Sequence, residues 1–118
     1  MTIAANMATA LVALLHTSFL VLELFLWDTP RGRKLLGLTP DFAAASRSLA
    51  ANQGLYNGFL AAGLVWGLWL GVEGTAIKVF FLACVIVAGV FGAATASRTI
   101  LLIQALPGAV ALTLVWLA

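Results

Sequence analysis

The sequence predicts an all-α protein, a transmembrane four-helix bundle with up-down topology and both termini outside. Hydrophobic residues make up 64% of its 118 residues and charged residues only 8%, whereas a soluble domain carries about 25% charged residues. Four stretches without a formal charge reach the roughly 20 apolar residues that a membrane-spanning helix needs. These stretches are residues 1–22, 48–72, 79–97 and 99–118. They fill most of the chain, so we expect residues 1–118 to form a single transmembrane domain.

Helix 1 is expected over about residues 3–27. Proline fixes φ and lacks a backbone donor, and it disfavours the helical conformation in the residue before it. Pro30 therefore marks residues 28–34 as a break after helix 1. We expect the leucines that follow to hold this linker near the lipid headgroups.

Helix 2 is expected over about residues 40–71. Thr39, Pro40 and Asp41 are typical of a helix start. Threonine caps a helix N-terminus, proline suits the first helical position, and aspartate suits the positive end of the helix dipole. The segment 71–74, with a glycine at each end, predicts a tight turn. A helix of this length exceeds one bilayer, so we expect its first turns to project beyond the hydrocarbon.

Helices 3 and 4 are expected over about residues 75–97 and 98–118. Pro107 lies inside helix 4 and predicts a kink, which membrane helices tolerate where neighbours satisfy the freed carbonyl group. Cys84, the single cysteine, lies in the middle of helix 3. We interpret it as a small packing residue.

The six lysine and arginine residues are distributed unevenly between the two sides of the predicted bundle. Five of them lie on the side of the linker after helix 1 and of the turn before helix 4, and only Lys78 lies on the opposite side. The five are Arg31, Arg33, Lys34, Arg47 and Arg98. Because positive residues favour the cytoplasmic side, we expect these linkers to face the cytoplasm and both termini to face outward. Topology then explains the net charge of +2, and we predict no nucleic-acid partner.

Small residues recur at every fourth position on helices 2 and 3. The rows are Gly54, Gly58 and Ala62; Gly63, Gly67 and Gly71; and Ala88, Gly92 and Ala96. Such rows let helix backbones approach closely in lipid, where packing drives association. We expect close helix packing, including packing between the subunits of a homo-oligomer.

Polar side chains concentrate in what the topology predicts to be the cytoplasmic half of the bundle. Such groups are costly at membrane depth, so each is a candidate functional residue. The candidate ligand-binding residues are His16, Glu23, Asn52, Gln53, Tyr56, Asn57 and Arg98. We expect them to line a polar pocket, open to the cytoplasm, for a small amphipathic or lipid-like molecule.

Each of these residues has a predicted role and a structural alternative. In the pocket, Arg98 would hold an anionic group, Glu23 would orient it or accept a proton, and Tyr56 would donate a hydrogen bond. In the structural alternative, Glu23 pairs with Arg98 or Arg47. His16 then donates to a backbone carbonyl, and the amides only join neighbouring helices.

The sequence contains no catalytic motif of high specificity, which leaves open whether the protein is an enzyme. His16 and Glu23 are too few for a metal site, and no metal is predicted. A small transporter subunit is a further alternative, in which these two groups relay protons. It requires a polar path through the outer half of the bundle, where the sequence is almost wholly apolar.

Several segments resemble a bacterial family of small four-helix membrane proteins of unknown function. They are WDTPRGRK at residues 27–34, LTP at residues 38–40, and AANQGLYNGFLAAG at residues 50–63. The similarity covers essentially the whole chain. It implies a multi-pass protein of the bacterial inner membrane and no known activity.

The layout also resembles the membrane-associated proteins in eicosanoid and glutathione metabolism. That family has four helices, a polar patch on helix 2, and an arginine at the start of helix 4, where Arg98 stands here. The resemblance implies a glutathione-transferase-like membrane enzyme, a trimer that binds glutathione between subunits, with Gln53 and Asn57 matching the family's amides. Leu49 stands where that family has arginine and Tyr56 where it has glutamate. The pocket for a different ligand is therefore the first hypothesis, and glutathione is the alternative.

Overall fold

The computed structural model describes residues 2–118, and every regular element in them is helical. In chain order the elements are helix α1 (Thr2–Leu20), a first π-helical segment (Val21–Leu26), helices α2 (Pro30–Leu36) and α3 (Pro40–Leu70), a 3-10 turn (Gly71–Gly74), helix α4 (Thr75–Thr95), a second π-helical segment (Leu101–Ala105) and helix α5 (Leu106–Leu117). The prediction of an all-α protein is confirmed for these residues.

Two uninterrupted helical stretches are long and apolar enough to cross a membrane. Thr2–Leu26 has 25 residues and Pro40–Thr95 has 56. The second stretch includes the 3-10 turn, where Gly71 adopts a positive φ of 65°. Leu101–Leu117 is a shorter apolar helix. These stretches meet the requirements of a membrane-spanning helix by length and composition alone.

The chain divides into two compact units. One, the core unit, comprises residues 2–14 together with Leu60–Ala118, and the other, the glutamate unit, comprises Leu15–Phe59. The core unit contains a cluster of buried apolar side chains. Its members are Ala5, Val12, Ala13, Leu64, Leu82, Val85, Ala111 and Val115.

Small residues bring helices close together inside the core unit. Helix α4 packs against α5 and against the second π-helical segment. A Cβ atom at Gly89 would lie 2.6 Å from the backbone nitrogen of Ala105, so only glycine allows this approach. A Cβ atom at Gly63 would overlap the ring of Phe81. Gly63 belongs to one of the predicted small-residue rows, which therefore serves packing within the chain.

Helix α2 occupies the segment after helix 1 that the sequence predicts as a linker. Thr29 caps this helix, because its Oγ1 accepts a hydrogen bond from the backbone nitrogen of Gly32 at 3.1 Å. Pro30 occupies the first turn, where proline is tolerated. Gly37 ends the helix with a φ of 69°, a left-handed conformation that glycine adopts without strain. Pro30 therefore starts a new helix after the break that it causes.

Side-chain bonds hold the start of α3 beside the chain that follows the first π-helical segment. Trp27 Nε1 donates to Ser46 Oγ at 2.9 Å, and Ser46 Oγ donates to the carbonyl oxygen of Phe42 at 2.6 Å. Arg33 Nη1 forms an ion pair with Asp28 Oδ1 at 2.9 Å. All of these residues belong to the glutamate unit.

Candidate functional site

The candidate site is centred on a hydrogen bond between an acidic and an amide side chain. Asn57 Nδ2 donates to Glu23 Oε1 at 2.5 Å. Asn57 lies on α3 and is 9% exposed, whereas Glu23 lies half-buried in the first π-helical segment. Both residues belong to the glutamate unit. The structure thus brings together two of the residues that the sequence predicts for the site.

Glycines on α3 allow helix 1 to come close enough for this hydrogen bond. A Cβ atom at Gly54 would lie 3.1 Å from Glu23 Cβ and 3.2 Å from the carbonyl oxygen of Leu20. A Cβ atom at Gly58 would lie 2.5 Å from Leu20 Cδ1. Gly54 and Gly58 are one turn apart and share a helix face. The row that begins at Gly54 therefore packs against helix 1 inside the chain.

Glu23 lies where helix 1 changes from α-helical to π-helical hydrogen bonding. π-Helical turns are rare, and they occur frequently at functional sites. The first such segment, Val21–Leu26, contains Glu23, and the second, Leu101–Ala105, contains Gln104. Each segment therefore carries one polar side chain in an otherwise apolar sequence.

His16 lies seven residues before Glu23 on helix 1 and is 0% exposed. Its ring packs edge-to-face against Phe19, with ring centroids 5.2 Å apart and planes inclined at 70°. Seven residues correspond to about 10 Å along a helix. The structure places His16 in the helix packing, about two turns away from the Glu23 carboxylate.

Three other predicted site residues lie on the exposed side of α3. Asn52 and Gln53 are exposed, and Tyr56 is 54% exposed with its ring edge-to-face against Phe59. Helix residues five apart are turned by about 140° from each other. Asn52 therefore points away from the side on which Asn57 meets Glu23. The structure divides the polar cluster of α3 into a buried amide and an exposed polar face.

The last predicted residue, Arg98, is exposed and lies in the core unit, between α4 and the second π-helical segment. In the glutamate unit, the ion pair that the structure describes joins Arg33 to Asp28. Glu23 has the Asn57 amide as its described partner instead of a cation.

A second charge–amide pair, in the core unit, is not among the residues that the sequence predicts for a site. Lys78 on α4 is only 6% exposed, and its Nζ donates to Asn6 Oδ1 on α1 at 3.4 Å. The lysine stem packs closely on Gly67, where a Cβ atom would lie 2.6 Å from Lys78 Cγ. A feature of the sequence could have drawn attention to this pair. Lys78 is the one basic residue on its predicted side of the bundle, four positions after Gly74.

Open grooves lie along α4 and α5 in the core unit. One groove has a volume of about 870 Å³ and is lined mainly by apolar side chains, including Val79, Phe80 and Trp116. A second, of about 460 Å³, runs along α4 and includes Cys84. Their described linings contain no charged side chain. These grooves are therefore apolar, and their described linings provide no charged group that could bind a ligand's polar end.

The chemistry of the candidate site is that of a carboxylate held by one neutral donor. Among residues 2–118, no three His, Cys, Asp or Glu side chains are grouped so that they could hold a metal ion. An ionised carboxylate has about four acceptor positions, and Asn57 supplies one donor. Glu23 therefore retains capacity for a proton or for donor groups of a ligand.

Most of the chain matches a protein-family model. The model described as Protein of unknown function (DUF1304) matches residues 10–116. The comparisons with curated proteins and with solved structures yielded no match.

Proposed function

Because the chain belongs to the DUF1304 family of proteins of unknown function, we propose its function from its own residues. It is an integral membrane protein that binds a small amphipathic molecule beside Glu23, in the cytoplasmic half of four transmembrane helices. The observation that carries this proposal is the Glu23–Asn57 hydrogen bond inside an apolar helix. Buried ionisable groups in such helices are costly and are retained for function.

The apolar surface of the helices supports the membrane location. Large hydrophobic side chains such as Ile3, Trp69 and Val72 are 76%, 85% and 86% exposed. A soluble monomer rarely exposes apolar surface so extensively, whereas lipid covers it without penalty. Thr2–Leu26 and Pro40–Thr95 have the length and composition for this role.

The positive charges support an orientation with the α2 segment in the cytoplasm. Arg31, Arg33, Lys34 and Arg47 all lie in or near this segment, and cytoplasmic loops carry the excess of positive residues. With four crossings, both termini then face outward, and in a bacterium the membrane is the inner one. Glu23 lies three residues before the end of the first π-helical segment, which supports a site toward the cytoplasmic face.

The exposed polar face of α3 supports a homo-oligomer. Asn52 and Gln53 can each donate and accept hydrogen bonds, so the same face of a second copy can satisfy them. In lipid an exposed amide lacks such partners. We propose that Asn52, Gln53 and Tyr56 contribute to contacts between copies, near the site but outside the Glu23–Asn57 bond.

Two measurements test the proposal. Membranes washed with alkali are expected to retain the protein, and its release into the soluble fraction would refute the membrane location. The protein purified in mild detergent is then examined by native mass spectrometry for a retained small molecule. We expect an amphipathic ligand that is lost from the Glu23→Gln variant and kept by Glu73→Gln, a matched carboxylate change on the exposed turn.

The glutathione hypothesis is tested on the same preparations. Conjugation of glutathione to a reactive electrophile is measured for the full-length protein and for Arg98→Ala. Activity that Arg98→Ala abolishes and Glu23→Gln leaves unchanged would replace the present proposal with a transferase.

A further inference from the structure

We propose that the ligand held by Glu23 is an amphipathic cation, a protonated or quaternary amine whose apolar part lies among the helices. This inference rests on the proposed function and assigns the chemical class of its ligand. The observation that supports it is that the Glu23 carboxylate, at membrane depth, has the neutral amide of Asn57 as its described partner.

No ion pair is described for the Glu23 carboxylate among residues 15–59. The other charged residues of this unit lie at the α2 segment or at the start of α3. They are Asp28, Arg31, Arg33, Lys34, Asp41 and Arg47. Arg33 is engaged by Asp28 at 2.9 Å. An amide donor orients a carboxylate but does not neutralise it, so a charge at membrane depth requires a cation or a proton.

The geometry suits an organic cation better than a hydrated metal ion. A metal ion is held by several protein ligands at once, and the described residues offer no such group. Glu23 is half-buried, and its neighbours in sequence along helix 1, such as Leu20, Leu24 and Leu26, are apolar. These side chains favour hydrocarbon substituents around a charged centre.

Binding of such a cation exchanges it for a proton. In the absence of a cation, the Glu23 carboxyl group keeps its proton; when a ligand of fixed positive charge binds, that proton leaves for the solvent. The O–H bond breaks, and the carboxylate takes the ligand as its counter-ion. The titratable groups on the elements that pack here are the charged residues named above and His16, which lies about two turns away on helix 1.

The experiment uses two lipophilic ions of similar size and opposite charge, tetraphenylphosphonium and tetraphenylborate. The purified full-length protein in mild detergent is titrated with each ion in a weakly buffered solution that contains a pH indicator. We expect tetraphenylphosphonium to bind with release of about one proton per ion, and tetraphenylborate to bind much more weakly.

Three variants locate the effect. Glu23→Gln keeps an acceptor for Asn57, and we expect it to fold, to lose at least about tenfold in affinity for the cation and to release no proton. Glu73→Gln and His16→Gln should retain both binding and proton release. Proton release that persists in Glu23→Gln would overturn the assignment.

The outcomes separate this inference from the proposed function. If tetraphenylborate binds in place of the cation and Glu23→Gln changes its affinity, the site beside Glu23 stands and the cationic ligand is refuted. If neither ion binds and native mass spectrometry finds no retained molecule, the proposed function itself fails.

Discussion

Glu23 and Lys78 are both charged residues on apolar helices, and both are hydrogen-bonded to an amide, but their settings differ. In the core unit, Lys78 lies in the first turn of α4 and reaches Asn6 at 3.4 Å. In the glutamate unit, Glu23 lies at the end of a helix long enough to cross a membrane and accepts from Asn57 at 2.5 Å. A lysine has a long apolar stem that can carry its charge toward water, whereas a glutamate at depth cannot reach so far. This difference underlies our proposal that the Lys78 pair is structural and the Glu23 pair is functional.

Replacing the glycine beside each pair by alanine should affect the core unit more strongly. A Cβ atom at Gly74 would overlap the Gly67 carbonyl oxygen and lie 2.8 Å from its carbon, both backbone atoms that cannot move aside. We expect Gly74→Ala to destabilise the protein by about 1–3 kcal/mol. Gly54→Ala should cost less, because its contacts are at 3.1 Å or more and alanine gains about 1 kcal/mol of helix propensity. Reversible unfolding in mixed detergent measures both, and a larger loss for Gly54→Ala would contradict this ranking.

Removing the amide partner should distinguish the two hydrogen bonds. Asn57→Ala is expected to cost about 0.5–2 kcal/mol, because the largely buried amide donates to Glu23. Asn6→Ala should cost less, since 3.4 Å is close to the limit for a hydrogen bond. The same unfolding assay compares them. Equal losses would show that the two pairs contribute alike and would remove the basis for treating them differently.

Two substitutions at Lys78 should distinguish the contribution of its methylene stem to stability from that of its charge. Lys78→Ala removes the methylenes that pack on Gly67 and is expected to cost about 1 kcal/mol. Lys78→Met retains most of this packing, so we expect it to restore most of the stability. If methionine is as harmful as alanine, the ammonium group and its bond to Asn6 provide the stability, and the prediction that the stem dominates is wrong.

The smallest effect on stability is expected for Glu23→Gln. Its side-chain oxygen can still accept from Asn57, and glutamine adds no ionisable group to an apolar helix. We expect an unchanged or slightly higher melting temperature together with the loss of cation binding. A variant that unfolds would indicate that the carboxylate has a structural role in the glutamate unit.

The helical class was predictable because a strongly apolar composition and four long uncharged stretches favour one kind of element. Helix α2 was predictable in principle as well. Thr29-Pro30 repeats the cap-and-proline signal of Thr39-Pro40, and both threonines accept a bond from the backbone three residues later. Pro30 was predicted only to end helix 1, although proline is also favoured in the first turn of a new helix.

The candidate site was predictable only in part. The depth of Glu23 and Asn57 follows from counting along two helices, and their contact agrees with it. Asn57 is buried and Asn52 is exposed because of the side of α3 that meets helix 1. The many small residues of α3 give no clear hydrophobic periodicity from which that side could be predicted. Each π-helical segment adds one residue to a helical turn and so shifts which side chains share a face. Amino-acid composition does not predict where such a segment occurs.

These two segments bear on how chains of this kind can vary. A π turn closes over one more residue than an α turn, so each segment holds a spare residue within an otherwise regular rod. Deleting one residue from Val21–Leu26 would convert the π turn into an α turn and leave the helical parts on either side in their present orientation. A single-codon deletion there could therefore present a different side chain to Asn57 while leaving the architecture unchanged.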